Sequence, residues 1–265
     1  MAQKILHEHT TAGQSALSPD FFTNLPAVFE QNGICIYQGR NEVRALEIKG
    51  QKIVIKKYGI PPIFNRILYS WGIRTPKAVR SFRNAQKILE RGFHTPLPYI
   101  QEVYYEKGLL GKSYFVSSWA SGKAVGSVHK TGKLIRALAR YTARLHEQGM
   151  MHRDYLLNNI HFTEKDGKYK FELIDINRFI FKNKPLGWFA VCVNLMQPFY
   201  RDKQLKIFVT EYARARHINE NILVWCVLRF RHIRNGYSQL KKILRKLPGA
   251  YHFSRKAKHP ARKTR

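Results

Sequence analysis

Three runs early in the chain carry the apolar and polar alternation of strands: ICIYQ at 34–38, EVRALEI at 42–48 and KIVIKKY at 52–58. Gly39-Arg40-Asn41 separates the first pair and Gly50 the second, so three antiparallel strands are expected. From Lys77 to Arg91 the period lengthens to that of a helix, with Val79, Phe82, Ala85 and Leu89 inward and Gly92 and the TPLP turn closing it. Two more strands follow, YIQEVYYEKG and SYFVSSW, turning at Gly108 to Gly111. The run 133–148 then places Leu134, Leu138, Tyr141 and Leu145 on one helical face that ends at Gly149. Asp166-Gly167 makes a hairpin of IHF and YKFELID. Trp188 to Met196 reads as an apolar helix and 219–247 as a long cationic one. A strand-rich first half and a helical second half define an α+β chain with an antiparallel sheet in its first lobe.

Other stretches are less regular. Residues 1–20 are polar and expected to be loosely ordered, and Asp20 to Gln31 to form a short helix or covering segment. In 59–76, Ile63, Ile67 and Trp71 share one side at helical spacing; core packing or an interfacial element with Arg66 and Arg74 at headgroups both fit.

Composition narrows the class. With 265 residues, 44% of them hydrophobic, the chain can build a core and is not disordered throughout. Its 47 Lys and Arg against 17 Asp and Glu give +30, so polyanions are the expected partners: nucleic acid, anionic headgroups or a phosphorylated glycolipid. No zinc, helix-turn-helix or base-stacking motif accompanies the charge, so no specific nucleic acid is expected. Cys35, Cys192 and Cys226 lie far apart in apolar runs and read as small buried hydrophobes. The N-terminus has no apolar core of signal-peptide length and no later run is long enough to span a bilayer, so a cytoplasmic protein with peripheral membrane contact is expected.

The candidate chemistry is concentrated in 151–175, MHRDYLLNNIHFTEKDGKYKFELID. His152, Arg153 and Asp154 are followed by Asn159, matching in letters and spacing the H-R-D-x-x-x-x-N catalytic loop of protein kinases. Asp154 would orient or deprotonate an acceptor hydroxyl, Asn159 and Asp175 would carry magnesium against ATP phosphates, and Arg153 would support the loop. Lys56 follows Val54-Ile55 as the phosphate-binding lysine follows its apolar neighbours, with Lys57 the competing assignment one residue on. Gly39 is the single glycine of the expected nucleotide-covering turn, and Ser117 to Gly122, including Trp119, fits the interlobe hinge that meets the adenine edge.

With these residues in view, the sequence resembles the kinase-like family of lipopolysaccharide core kinases, whose members phosphorylate Kdo or heptose sugars of the inner core. The resemblance is carried by GRNEVR at 39–44, VIKKY at 54–58, KAVRSFRNAQKILERGFHTPLPYI at 77–100, HRDYLLNN at 152–159 and ELIDINRF at 172–179. It covers roughly residues 33–200 and implies a two-lobed protein-kinase-like fold, with lobes at 33–118 and 119–247; 1–32 is an N-terminal segment before it, and the composition of 248–265 is that of a disordered basic tail. It also implies ATP and Mg2+ as cofactors, the lipid A-core glycolipid as acceptor, and an anionic membrane surface as partner at the inner face of the cytoplasmic membrane. The chain departs from the pattern where a helix glutamate should pair with Lys56, near Ser81. Glu90 is the helix's one acid and lies at its far end, so Ser81 or Asn84 substitutes or the lysine is held from elsewhere.

Two other functions compete with this one. An aminoglycoside-type or protein acceptor would keep the chemistry, but aminoglycoside pockets are acidic, and Ile176-Asn177-Arg178 runs on toward the apolar helix with no peptide-docking activation segment. A degenerate kinase or basic binding module without catalysis would have no chemical need for Asp154, Asn159 and Asp175 together.

Overall fold

The computed structural model describes residues 4–244. Its first element is β1 (Lys4–His9), followed by the short helices α1 (Thr11–Ala16), α2 (Asp20–Thr23) and α3 (Leu25–Gln31). Strands β2 (Ile34–Gln38), β3 (Asn41–Ile48) and β4 (Gln51–Tyr58) form the expected meander. After them come α4 (Ile63–Ser70), α5 (Lys77–Glu90), β5 (Pro98–Glu106) and β6 (Leu109–Ser118). The six strands make one antiparallel sheet in the order β1-β5-β6-β4-β3-β2. Alternation sends Ile53, Ile55, Tyr114 and Val116 to one face, where Leu17, Phe21, Leu25 and Phe29 of the N-terminal helices cover them. On the other face Ala78 and Val79 of α5 pack with Tyr58 and Val103. Within α5 it is Ile88 that is fully buried, while Leu89 is only partly so, because the inward stripe runs 78, 79, 82, 85, 88.

From Lys4 onward the N-terminal segment is not loose. β1 pairs with β5 from Lys4↔Tyr105 to His9↔Ile100 and belongs to the first lobe. Its polar residues have protein partners: His7 Nδ1 lies 2.9 Å from Glu102, and Arg83 of α5 reaches Glu8 at 2.7 Å. A strand held by charges at a sheet edge carries no apolar alternation to reveal it. Cys35 also departs from expectation, since it lies on β2, whose five residues are all exposed; Cys192 is buried and Cys226 half-buried.

The second lobe contains β7 (Lys123–Ala124), α6 (Gly132–Glu147), β8 (Met150–His152), β9 (Ile160–Lys165), β10 (Lys168–Leu173) and β11 (Phe179–Phe181), then α7 (Trp188–Leu195), α8 (Asp202–Ala215) and α9 (Glu220–Leu244). Thr131 caps α6 through its side-chain oxygen, and the helix buries Leu134, Leu138, Tyr141 and Leu145 against the hairpin and α8. A polar pin crosses this core: His146 meets the Tyr212 hydroxyl at 2.8 Å and Asn194 Oδ1 at 2.9 Å, and Asn194 donates to the His152 carbonyl at 2.8 Å. Each side chain of this pin has its hydrogen-bond partner, as burial demands. No helix among the described residues is long and apolar enough to cross a membrane. The basic tail, with Arg245 and Lys246 before it, lies outside the described residues.

Candidate active site

Between the lobes is a cavity of about 560 Å³, walled by β2–β4, the end of β6, the chain after it, and the segments that follow β8 and β10. Lys56, Ser117, Trp119, Asn159 and Asp175 all line it. Lys56 and Lys57 point to opposite faces of β4, as consecutive strand residues must. Lys56 Nζ bonds Asp175 Oδ1 at 2.6 Å, whereas Lys57 bonds Glu30 at 2.6 Å on the far side of the sheet.

The acid-bearing segments are registered to each other by backbone bonds. β8 pairs with β11 so that His152 faces Phe179, and the Ile174 amide donates to the Asn159 carbonyl at 3.0 Å. His152 is fully buried: its Nε2 donates to the Ile174 carbonyl at 2.9 Å and its Nδ1 accepts the Asp154 amide at 3.2 Å. Burial lowers its pKa, which keeps the ring neutral and suits one nitrogen donating while the other accepts. His152, expected among the catalytic groups, therefore braces the loop from below and does not line the cavity. Arg153 points to solvent and Gly39 lies in the exposed β2–β3 turn; neither is in the wall.

Asp154 is not in the wall either, but it is bonded to Asn159, which is. Its carboxylate takes both oxygens to Arg178 Nη1, at 2.8 and 3.1 Å, and its carbonyl accepts Asn159 Nδ2 at 2.9 Å. Asn177 donates to Asp175 Oδ1 at 2.8 Å. Asn177 and Arg178 thus connect the two aspartates, a role that the sequence pattern did not assign to them. Asp175 itself has φ 53° and ψ 46°, a left-handed conformation costing on the order of 1 kcal/mol that its fixed neighbours impose.

No glutamate of α5 meets Lys56. Ser81 instead hydrogen-bonds the Tyr58 hydroxyl at 2.6 Å, and Asn84 donates to the Ile176 carbonyl at 2.8 Å. Lys56 is held from elsewhere, by Asp175, and its ammonium lies 5.3 Å from the Tyr58 ring centre. Burial opposes the Lys56 charge, but Tyr58 and Asp175 outweigh it and raise the pKa. Burial likewise opposes ionisation of Asp175, and Lys56 reverses it to a net lowering. Both groups are ionised at neutral pH. The Lys77 ammonium stands over the other side of this neighbourhood, 5.8 Å from the Tyr58 ring, and burial with the positive charges of Arg40, Arg80 and Lys56 pushes its pKa down to about 8. Sequence reasoning assigned no role to Tyr58 or Lys77.

At the hinge, the Ser118 amide donates to the Leu97 carbonyl and the Trp119 amide to the Lys52 carbonyl, both at 3.0 Å. Ala120, also in the cavity wall, has an amide with no partner among the described residues. Gly122 closes the hinge at φ +71°, where an added Cβ would come within 2.0 Å of the Phe162 carbonyl oxygen.

Magnesium favours oxygen donors and is commonly held by one or two protein groups, with phosphates and water completing its shell. Asp175 and Asn159 supply two such donors on one cavity wall.

A sheet lobe and a helical lobe hinged around a lysine, an asparagine and two aspartates define a kinase-like phosphotransferase. The fold is similar to that of solved structures described as WaaP in complex with acyl carrier protein (TM-score 0.57, 14% identity, covering 86% of this chain and 98% of that one) and as aminoglycoside-3'-phosphotransferase of type VIII (TM-score 0.53, 11% identity, 80% and 99%). No match was found among curated protein sequences. The profile of the lipopolysaccharide kinase (Kdo/WaaP) family matches residues 39–188, more than half of the chain, and the protein belongs to that family. It is an ATP-dependent phosphotransferase.

Proposed function

We propose that the protein transfers the γ-phosphoryl group of ATP to a hydroxyl of Kdo or heptose in the lipopolysaccharide inner core, at the inner face of the cytoplasmic membrane. The observation that carries this reading is the placement of Lys56, Asn159 and Asp175 in one interlobe cavity, with Asp154 bonded to Asn159.

In this reading the adenine edge lies along the hinge at Ser117–Ala120, and Lys56 draws the phosphates inward by charge. Asp154, steadied by Arg178, orients the sugar hydroxyl and takes its proton as the hydroxyl oxygen bonds to the γ-phosphorus. The bond from that phosphorus to the bridging oxygen breaks, giving ADP and the phosphorylated sugar. Magnesium held by Asp175 and Asn159 would supply positive charge against the phosphate oxygens. Arg153 and the basic Gly39-Arg40 turn are exposed and stand outside the cavity wall.

The acceptor side supports a sugar acid or phosphorylated sugar over a cationic aminoglycoside. A second cavity, about 570 Å³, opens against Leu156–Asn158 of the catalytic loop and is lined by His129, Lys130, Arg201 and Gln204, with no carboxylate. Such a wall attracts an anionic polyol and repels a polyamine.

Mass spectrometry of lipid A-core from cells with and without the gene tests the proposal. The expected result is the loss of one phosphate on deletion, restored by the unmodified chain and not by Asp154→Ala. Identical masses in the two strains would overturn it.

A further inference from the structure

Helix α9 is anchored at its start and bare at its end. Leu223 and Val227 are fully buried against the second lobe, and Arg231 bonds the carbonyls of Phe199 and Tyr200 at 3.0 Å each and the Asp202 carboxylate. From His232 onward every residue whose side chain is described is exposed. At about 1.5 Å per residue, these last 13 positions extend roughly 20 Å. A helix of that length without packing is marginal in water.

The apolar residues on it are not scattered. Ile222, Trp225, Ile233, Tyr237, Leu240 and Ile243 are each more than half exposed, between 52% and 67%, and recur at helical spacing along one face. Between Asn221 and Leu244 the charges are all positive: Arg229, Arg231, Arg234, Lys241 and Lys242. Glu220, the helix's one acid, is already paired with Arg214 at 2.7 Å. The sequence beyond α9 adds eight Lys and Arg and no Asp or Glu.

We infer that the apolar face of α9 lies on an anionic phospholipid bilayer. An apolar stripe edged by cations is the pattern of helices that rest in the headgroup region. A second copy of the chain fits poorly, since pairing the same face would bring like charges together with nothing to offset them. The inference deepens the membrane-face reading above and names the surface involved. It also ties that surface to the acceptor side, because the loop held by Arg231 carries Phe199, Tyr200 and Arg201 of the second cavity wall. Docking of α9 would hold that cavity at the leaflet where a glycolipid acceptor is embedded.

Flotation of the full chain with vesicles tests this, using phosphatidylglycerol with phosphatidylethanolamine in one arm and phosphatidylcholine alone in the other. The unmodified chain should float with the anionic vesicles and not the neutral ones. The triple variant Ile233→Ser, Tyr237→Ser, Leu240→Ser should bind at least tenfold more weakly, with an unchanged melting temperature. Blue-shifted Trp225 emission on vesicle addition, read as the difference from Trp225→Phe, should accompany binding. Equal flotation of the triple variant overturns the inference. So does loss of flotation in Phe64→Ser, Trp71→Ser on the exposed α4 region while the α9 triple variant still floats. A dimer by light scattering that the triple variant dissolves, with no vesicle binding, would assign the face to a second copy and overturn it as well. ATP binding, measured on the same samples, keeps a failure of docking separate from a failure of the kinase reading.

Discussion

Asp175→Asn separates two effects of one carboxylate. Asp175 Oδ1 holds the Lys56 ammonium at 2.6 Å, so a triphosphate drawn to Lys56 competes with it. A hydrogen bond to a charged group is worth about 1.5–3 kcal/mol. The Asp175 side chain keeps 39% of its surface open to water, and screening there reduces the figure to about 1 kcal/mol. Removing the charge should therefore tighten magnesium-free ATP roughly fivefold. With magnesium present the sign reverses, because a hard anionic donor has been replaced by an amide. ATP should then bind more weakly than to the unmodified chain, and phosphotransfer should fall by at least about 100-fold. Calorimetric titration of ATP in EDTA and in magnesium, with phosphotransfer measured alongside, reads both. A variant that binds metal-free ATP no more tightly, or that transfers phosphate at the unmodified rate, refutes the reasoning.

Two further predictions concern protons. Burial holds His146 down at about 3, while the unfolded imidazole titrates near 6.5, so the unfolded chain binds the extra proton between these values. The His146 contribution to stability is complete above pH 6.5 and is lost as pH falls, by about 2 kcal/mol at pH 5. Urea unfolding at pH 7 and pH 5 should show a loss about 2 kcal/mol smaller in His146→Gln than in the unmodified chain. Lys77, at about 8, should gain a proton when phosphates enter beside it, so ATP binding at pH 8 should take up protons. Calorimetry in two buffers of different ionisation enthalpy should detect the uptake, and Lys77→Met should remove it.

The order of strands and helices was legible because β2–β6, α5 and α6 each bury one face, and a half-buried element shows its period. The catalytic loop was legible because its chemistry fixes spacing within eight residues. Elements fixed by distant partners were not. β1 is polar because its neighbours across the sheet and on α5 include Glu102 and Arg83, and nothing local records that pairing. Arg178 stands 24 residues from Asp154 and meets it only once β8 and β11 have paired. The choice between Lys56 and Lys57 needed the register of β4, since both are lysines at a strand end and only the fold distinguishes its two faces. Only the first three turns of the long cationic helix have a lobe to pack against, a limit that its regular apolar spacing does not record.

In kinases that pair a helix glutamate with the phosphate-binding lysine, rotating that helix outward parts the two and silences the enzyme. Here α5 could turn without releasing Lys56, whose anchor belongs to the other lobe, and Asn84 fastens α5 to the segment carrying that anchor. A turn of α5 would therefore part no lysine–glutamate pair here; it would instead pull, through Asn84, on the Ile176 backbone next to Asp175.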